Sequence, residues 1–233
     1  KKSKRYFGGR YIIPYDKGGE SDSDSGWLPN YFVTSNYFIN WSERYASCLI
    51  NEKLILPKST KPLPRNKYFY FREGLSFSDT GVYSPTFRLN FSSVFDQKGS
   101  TIVSNYDTQI LLLVLTSKIS KYFLRSVINH TVSSHVDSQK ENLINTSEFK
   151  KGLNLVKSII KNQKKNARYD YASQEQIEID QLVYEAYCLN AEDVEEVENW
   201  YARRYPKLST AQKSNLRALG KSDDYLELYG LRK

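Results

Sequence analysis

Methionine is absent from the 233 residues, and cysteine and histidine occur only twice each. Without methionine there is no natural initiator, so the chain is expected to be a piece of a longer protein. Cys48 and Cys188 are far apart in unrelated contexts. That argues against a disulfide framework and fits a reducing, cytoplasmic setting. His130 and His135 lack further His, Cys or acidic partners at ligand spacing, so no metal site is expected. Long hydrophobic runs are missing too. The strongest, Ile110 to Leu115, is far shorter than the ~20 residues of a membrane-spanning helix. The basic start, KKSKRYFGGR, is not followed by the apolar region of a signal peptide. There is no GxGxxG, GKS/GKT or GxSxG, so nucleotide loops and serine elbows of those types are excluded. No two prolines are adjacent. That removes the Asn/Asp-Pro-Pro-aromatic loop with which amino-methyltransferases hold a flipped base.

What remains is basic and aromatic. Lysine and arginine outnumber acids 34 to 26, giving a net charge of +8, and 19 residues are tyrosine. A basic balance favours an anionic partner such as nucleic acid. Composition alone fits equally a tyrosine-rich β core with solvated lysines.

Strand signals dominate the first hundred residues. YFVTSNYFINW mixes aromatic and β-branched residues. Residues 57–66 hold three prolines and read as a connector. KYFYFREGLSFSDTGVYSPTFRLNF offers short strands separated by Gly74, Gly81 and Pro85. SSVFDQKGSTIV, residues 92–103, reads as a hairpin with a polar tip carrying Lys98.

Near Asp107 the spacing becomes helical. One long buried helix is expected over about 107–128. A second over SEFKKGLNLVKSIIKNQKK sets Leu153, Val156, Ile159 and Ile160 on one face and lysines on the other. Ser173 with Gln176, and Ser209 with Gln212, match capping boxes for later helices. Asn190 is placed to cap another before the acidic turn AEDVEE, and Gly220 to end the last. The expected fold class is α+β: a β-rich front of short twisted strands with a helical back packed on it. The expected division is a β-rich region 1–146, containing the long helix, and a helical region 147–233.

Two patterns bear on chemistry. Asp137, Glu148 and Lys150 have the loose spacing of a metal-dependent nuclease, which needs two acids for Mg²⁺ and a lysine near the attacking water. Glu148 and Lys150 stand at a helix start, however, and read better as solvated charges. The other pattern interleaves basic residues with aromatics and hydroxyls, in RNKYFYFREGLSFS, SPTFRLNFSS and DQKGSTI. Arg65, Lys67, Arg72, Arg88 and Lys98 suit phosphate contact, while Asn90 or Gln97 suit an adenine edge.

Three stretches in order carry a resemblance. YIIPYDKGGE followed by NYFINW is the first. YFREGLSFSDTGVYSPTFRLNFSSVFDQKGSTIV, followed by LLLVLTSKISKYFL and HVDSQKENLI, is the second. EIDQLVYEAYCLNAEDVEEVE is the third. Together they resemble the C-terminal target recognition domain of TaqI-like, type IIG adenine-N6 DNA methyltransferases of restriction-modification systems, including those of BREX-type phage defence. The chain departs from that pattern at ESDSDSGWLP and at NHTVSSHVDSQ.

The resemblance implies a fragment without catalysis of its own that confers sequence specificity on double-stranded DNA. It implies an N-terminal methyltransferase domain in the same parent chain, which would use S-adenosylmethionine, with Mg²⁺ if the parent also cleaves DNA. The residues expected at DNA are Lys17, Arg65, Lys67, Arg72, Arg88 and Lys98, with Ser76, Ser78, Asn90, Gln97 and Ser100 beside them. Phe95 and Ile102 are expected in the core. The alternative is a non-catalytic protein-interaction module with a basic face.

Overall fold

A computed structural model describes residues 5–7, 10–16, 29–35, 37–43, 46, 67–77, 85–90, 93–95, 100–126 and 147–230. At 5–7, 10, 11, 67, 126, 147 and 148 only the backbone is described. The chain forms two compact units, Lys1–Thr108 and Gln109–Lys233. Strands fall in the N-terminal half and helices in the C-terminal half, so the fold is α+β.

In the first unit β1 (Arg5–Phe7), β2 (Arg10–Asp16) and β3 (Phe38–Asn40) form an antiparallel sheet in that order. The end of β2 also pairs in parallel with β6 (Val94–Phe95), Tyr15 opposite Val94. A second antiparallel sheet runs β5 (Phe87–Asn90), β4 (Gly74–Phe77), β7 (Thr101–Ile102). Tyr31 closes the free side of β5: its N–H donates to the Phe87 carbonyl at 2.8 Å, and its own carbonyl accepts from Leu89 N–H at 2.9 Å. Flanked on both sides, β5 is buried at all four positions.

The hairpin expected over 92–103 does not form as a pair. Val94–Phe95 joins β2, whereas Thr101–Ile102 joins β4. The two arms therefore belong to different sheets. Phe95 is buried as expected, and Ile102 is half-buried.

The second unit contains α1 (Thr108–Leu115, begun by the last residue of the first unit), α2 (Lys118–Ser126), α3 (Ser147–Lys165), α4 (Glu175–Ala186), α5 (Ala191–Arg204), α6 (Pro206–Ala218) and α7 (Tyr225–Leu228). The single helix expected over 107–128 is broken at Thr116 and Ser117. Both hydroxyls turn back on the helix they follow: Thr116 Oγ1 donates to the Leu112 carbonyl at 2.8 Å and Ser117 Oγ to that of Val114 at 2.7 Å. Local bonds of this kind compete with the helical ladder. Ser117 Oγ also accepts from Ser120 N–H at 3.3 Å, which caps α2.

The second expected helix is α3, with Val156, Ile159 and Ile160 buried and Leu153 half-buried. Asn190 caps α5 in a reciprocal box with Asp193. Gly220 ends α6 in the left-handed region at φ +68. The other two boxes are not formed. Ser173 instead bonds Asp170, and the Gln176 amide is drawn into the interior toward Asp180. Ser209 and Gln212 lie inside α6, which starts earlier because Pro206 occupies its first turn. Among the described residues no helix is long and apolar enough to cross a membrane.

Gly74 is required by close approach. A Cβ there would stand 2.4 Å from the Ile102 carbonyl oxygen, a backbone atom of the paired strand. Gly74→Ala is expected to lower the stability of the β-rich unit by about 1–3 kcal/mol, measured by urea unfolding followed through tryptophan emission.

Candidate nucleic-acid interface

Strand pairing collects three of the expected DNA-contacting residues on one face. Ser76 lies opposite Arg88 and also opposite Thr101, and Asn90 follows Arg88 by two residues on β5. The face is polar but internal. Ser76, Arg88 and Asn90 are all buried. The Arg88 guanidinium donates to Asp16 at 3.0 Å. Asn90 accepts from Ser93 Oγ at 2.7 Å and donates to Thr101 Oγ1 at 3.4 Å. Ser76 and Thr101 hydroxyls meet at 3.4 Å. In this arrangement the three bond to groups within their own unit. Burial overrides the expectation because β5 is flanked on both sides, which strand patterning does not reveal.

Arg72 is placed differently. Residues 67–69 form a 3-10 turn, and beyond it Phe71 has φ +65, which turns the chain sharply before β4. The four successive rings then divide into an outer and an inner pair. Tyr70 packs edge-on against Trp41 and Phe95, and Phe71 against Trp41. Tyr68, Phe69 and Arg72 project outward, with Tyr68 79% exposed. The Arg72 guanidinium lies over the Phe69 ring, 5.5 Å from its centre. The tip thus offers a fixed cation and two aromatic faces on a packed mount. Phe71 N–H holds the mount by donating to the Ser93 carbonyl at 3.1 Å.

Of the remaining expected residues, Lys67 opens the 3-10 turn and Ser100 is half-buried beside β7. Lys17, Arg65, Ser78, Gln97 and Lys98 lie outside the described residues, as do His130, His135 and Asp137. Lys150 is exposed on α3. Among the described residues no group of three or more His, Cys, Asp or Glu could hold a metal ion.

The densest set of titratable groups lies elsewhere, inside the helical unit, and sequence reasoning missed it. Lys118, the first residue of α2, is fully buried. Its ammonium lies 2.8 and 3.0 Å from the two carboxylate oxygens of Glu198 on α5 and 3.9 Å from Asp180 on α4. It also lies 4.6 Å from the ring centres of both Tyr201 and Tyr225. Tyr184 donates to Glu198 at 3.0 Å. Burial depresses the Lys118 pKa, but the carboxylates outweigh it and hold the group above its ordinary value. Burial pushes the Asp180 carboxyl up to about 6, against the pull of Lys118 and with the repulsion of Glu198. The visible signal was a charge set within an apolar stripe, Lys118 beside Ile119 and Asp180 between Ile179 and Leu182. Tyr184, Tyr201, Tyr225 and Tyr229 surround the cluster.

Two outcomes follow. Lys118→Met leaves Glu198 and Asp180 buried without their cation and is expected to cost about 3–5 kcal/mol, read from urea unfolding by far-UV circular dichroism. For Asp180, the folded pKa of about 6 exceeds the ordinary 3.8, so the folded state binds more protons between those values. Stability from this group is therefore lost as pH rises through about 4 to 6. Relative to Asp180→Asn, the native protein should lose up to about 3 kcal/mol across that window, measured by unfolding both proteins at each pH. Compared with known proteins, the chain matches no family model and no curated sequence.

Proposed function

We propose that the chain is a DNA-binding target recognition module, which in its parent directs an adenine-N6 methyltransferase, and possible cleavage activity, to particular sites on duplex DNA. The observation that carries the reading is the Tyr68–Phe69–Arg72 tip: an exposed arginine over an aromatic ring, next to a turn whose Tyr70 and Phe71 pack on Trp41. A guanidinium so oriented suits a phosphate or the paired acceptors of a guanine edge. Exposed rings suit stacking on an unstacked base or wedging at a base step. Net charge of +8 supports the same partner. The ordered resemblance of the three sequence stretches supplies the adenine methyltransferase context. In that context the N-terminal domain of the parent would carry S-adenosylmethionine and methylate the flipped base, while this chain positions the duplex.

The test is a mobility-shift titration of the whole chain against duplex DNA over a salt series. Binding that weakens steeply with salt is expected. Arg72→Gln should weaken it by about 1–3 kcal/mol while leaving the thermal midpoint unchanged, because the side chain is exposed. Failure to bind at low salt, or affinity without a salt slope, overturns the reading. A nuclease-resistant protein partner recovered instead would favour a protein-interaction module.

A further inference from the structure

The helical unit carries a charge asymmetry that its own folding does not explain. Residues 147–165, which form α3, contain six lysines and one acidic residue, Glu148. The buried face of α3 is Phe149, Gly152, Val156, Ile159, Ile160 and Gln163. The exposed side consists of lysine, asparagine and serine. Lys150, Lys157, Lys161 and Lys164 recur at intervals of seven, four and three residues. At about 100° per residue they fall within an arc of roughly 60°, along a line of about 21 Å.

Two ordinary roles account for only some of these lysines. Lys151 pairs with Glu178 on α4 at 3.2 Å. Lys164 and Lys165 sit in the last turn, where the helix dipole favours cations. Lys150, Lys157 and Lys161 have neither explanation, and among the described residues none has an acidic group within ion-pair distance. Lys157 and Lys161, and Lys161 and Lys164, repel one another at helical spacing. By contrast, α5 carries four acids in its first turns, Glu192, Asp193, Glu195 and Glu196.

We propose that α3 is a second nucleic-acid-binding face, in which Lys150, Lys157, Lys161 and Lys164 lie along the phosphate backbone of a duplex without reading its sequence. The proposal rests on the DNA-binding reading for the identity of the partner, but uses a different unit of the chain. The chemistry of the face selects the partner. Lysines are point charges suited to phosphate, and a face without an exposed aromatic anchor lacks what usually holds a protein partner. The exposed positions also offer no aromatic or aliphatic side chain to sink into a lipid surface.

The whole chain is titrated with a labelled duplex of arbitrary sequence from about 50 to 300 mM salt. The combined variant Lys150→Gln, Lys157→Gln, Lys161→Gln, Lys164→Gln should lower the salt slope by about 3 to 4 and the affinity at least tenfold, with unchanged helical circular dichroism. A charge-matched control replaces four exposed cations of α5, α6 and the turn after α6: Arg203→Gln, Lys207→Gln, Arg217→Gln and Lys221→Gln. It should leave most of the slope intact. An unchanged slope in the α3 variant, or an equal loss in the control, overturns the proposal. If Arg72→Gln still weakens binding in that case, the recognition reading survives alone. If the α3 variant abolishes binding while Arg72→Gln does nothing, α3 is the binding face and the tip is not. No binding by the native chain overturns both, as does tighter capture by phosphatidylserine vesicles than by duplex.

Discussion

The buried ammonium of Lys118 is the constraint around which the helical unit is built. A cation with no exposure must be surrounded by charge and by donors' partners, or it does not stay charged. Here the surroundings come from three other helices: Asp180 from α4, Glu198 and Tyr201 from α5, Tyr225 from α7. The interruption at Thr116 and Ser117 belongs to the same arrangement. It restarts the chain so that the Lys118 backbone N–H donates to Asp180 at 2.8 Å while the side chain reaches Glu198. An unbroken helix would leave that N–H in its own ladder. Gln176 ties the break to α4 from the other side, donating to the Thr116 carbonyl and to Asp180.

The β-rich unit applies the same device on a smaller scale. Arg88 and Asp16 join β5 to the end of β2, two strands from different sheets. β6 and β7, neighbours in sequence, likewise pair with strands of the two different sheets. Trp41, Tyr70 and Phe95 fill the apolar space beside this junction with edge-on rings. The exposed tip at Tyr68–Arg72 is consequently mounted on a packed aromatic base. That is the condition under which an exposed side chain keeps a fixed aim.

Fold class and most helix positions were legible because apolar spacing is a local signal. α3 shows this most plainly: a continuous apolar stripe and an interior face that matches the spacing. Asn190 was legible because its box closes within four residues. The boxes at Ser173 and Ser209 failed because a motif of two residues says nothing about Asp170, Pro206 or the interior pull on Gln176. The 92–103 hairpin failed for a related reason. Strand propensity marks both arms, but the partner of each arm is a strand far away in sequence.

Burial, which patterning reports least well for charged residues, decides what the cations can do. Arg88 looked like a phosphate contact by type and neighbourhood, yet it is enclosed and bonded to Asp16. Lys118 drew no attention and holds four helices together. The lysines of α3 looked like an ordinary solvated face. Lys150, Lys157 and Lys161 differ from Arg88 and Lys118 in one physical respect: their helix is anchored by its apolar side, and no described acid lies within ion-pair distance of them. A cation consumed by internal carboxylates cannot release counterions from a polyanion, whereas an exposed and unpaired one can. The capacity to bind an anionic partner therefore follows the unspent charges, at Lys150, Lys157 and Lys161 on α3 and at Arg72, and not the total count of basic residues.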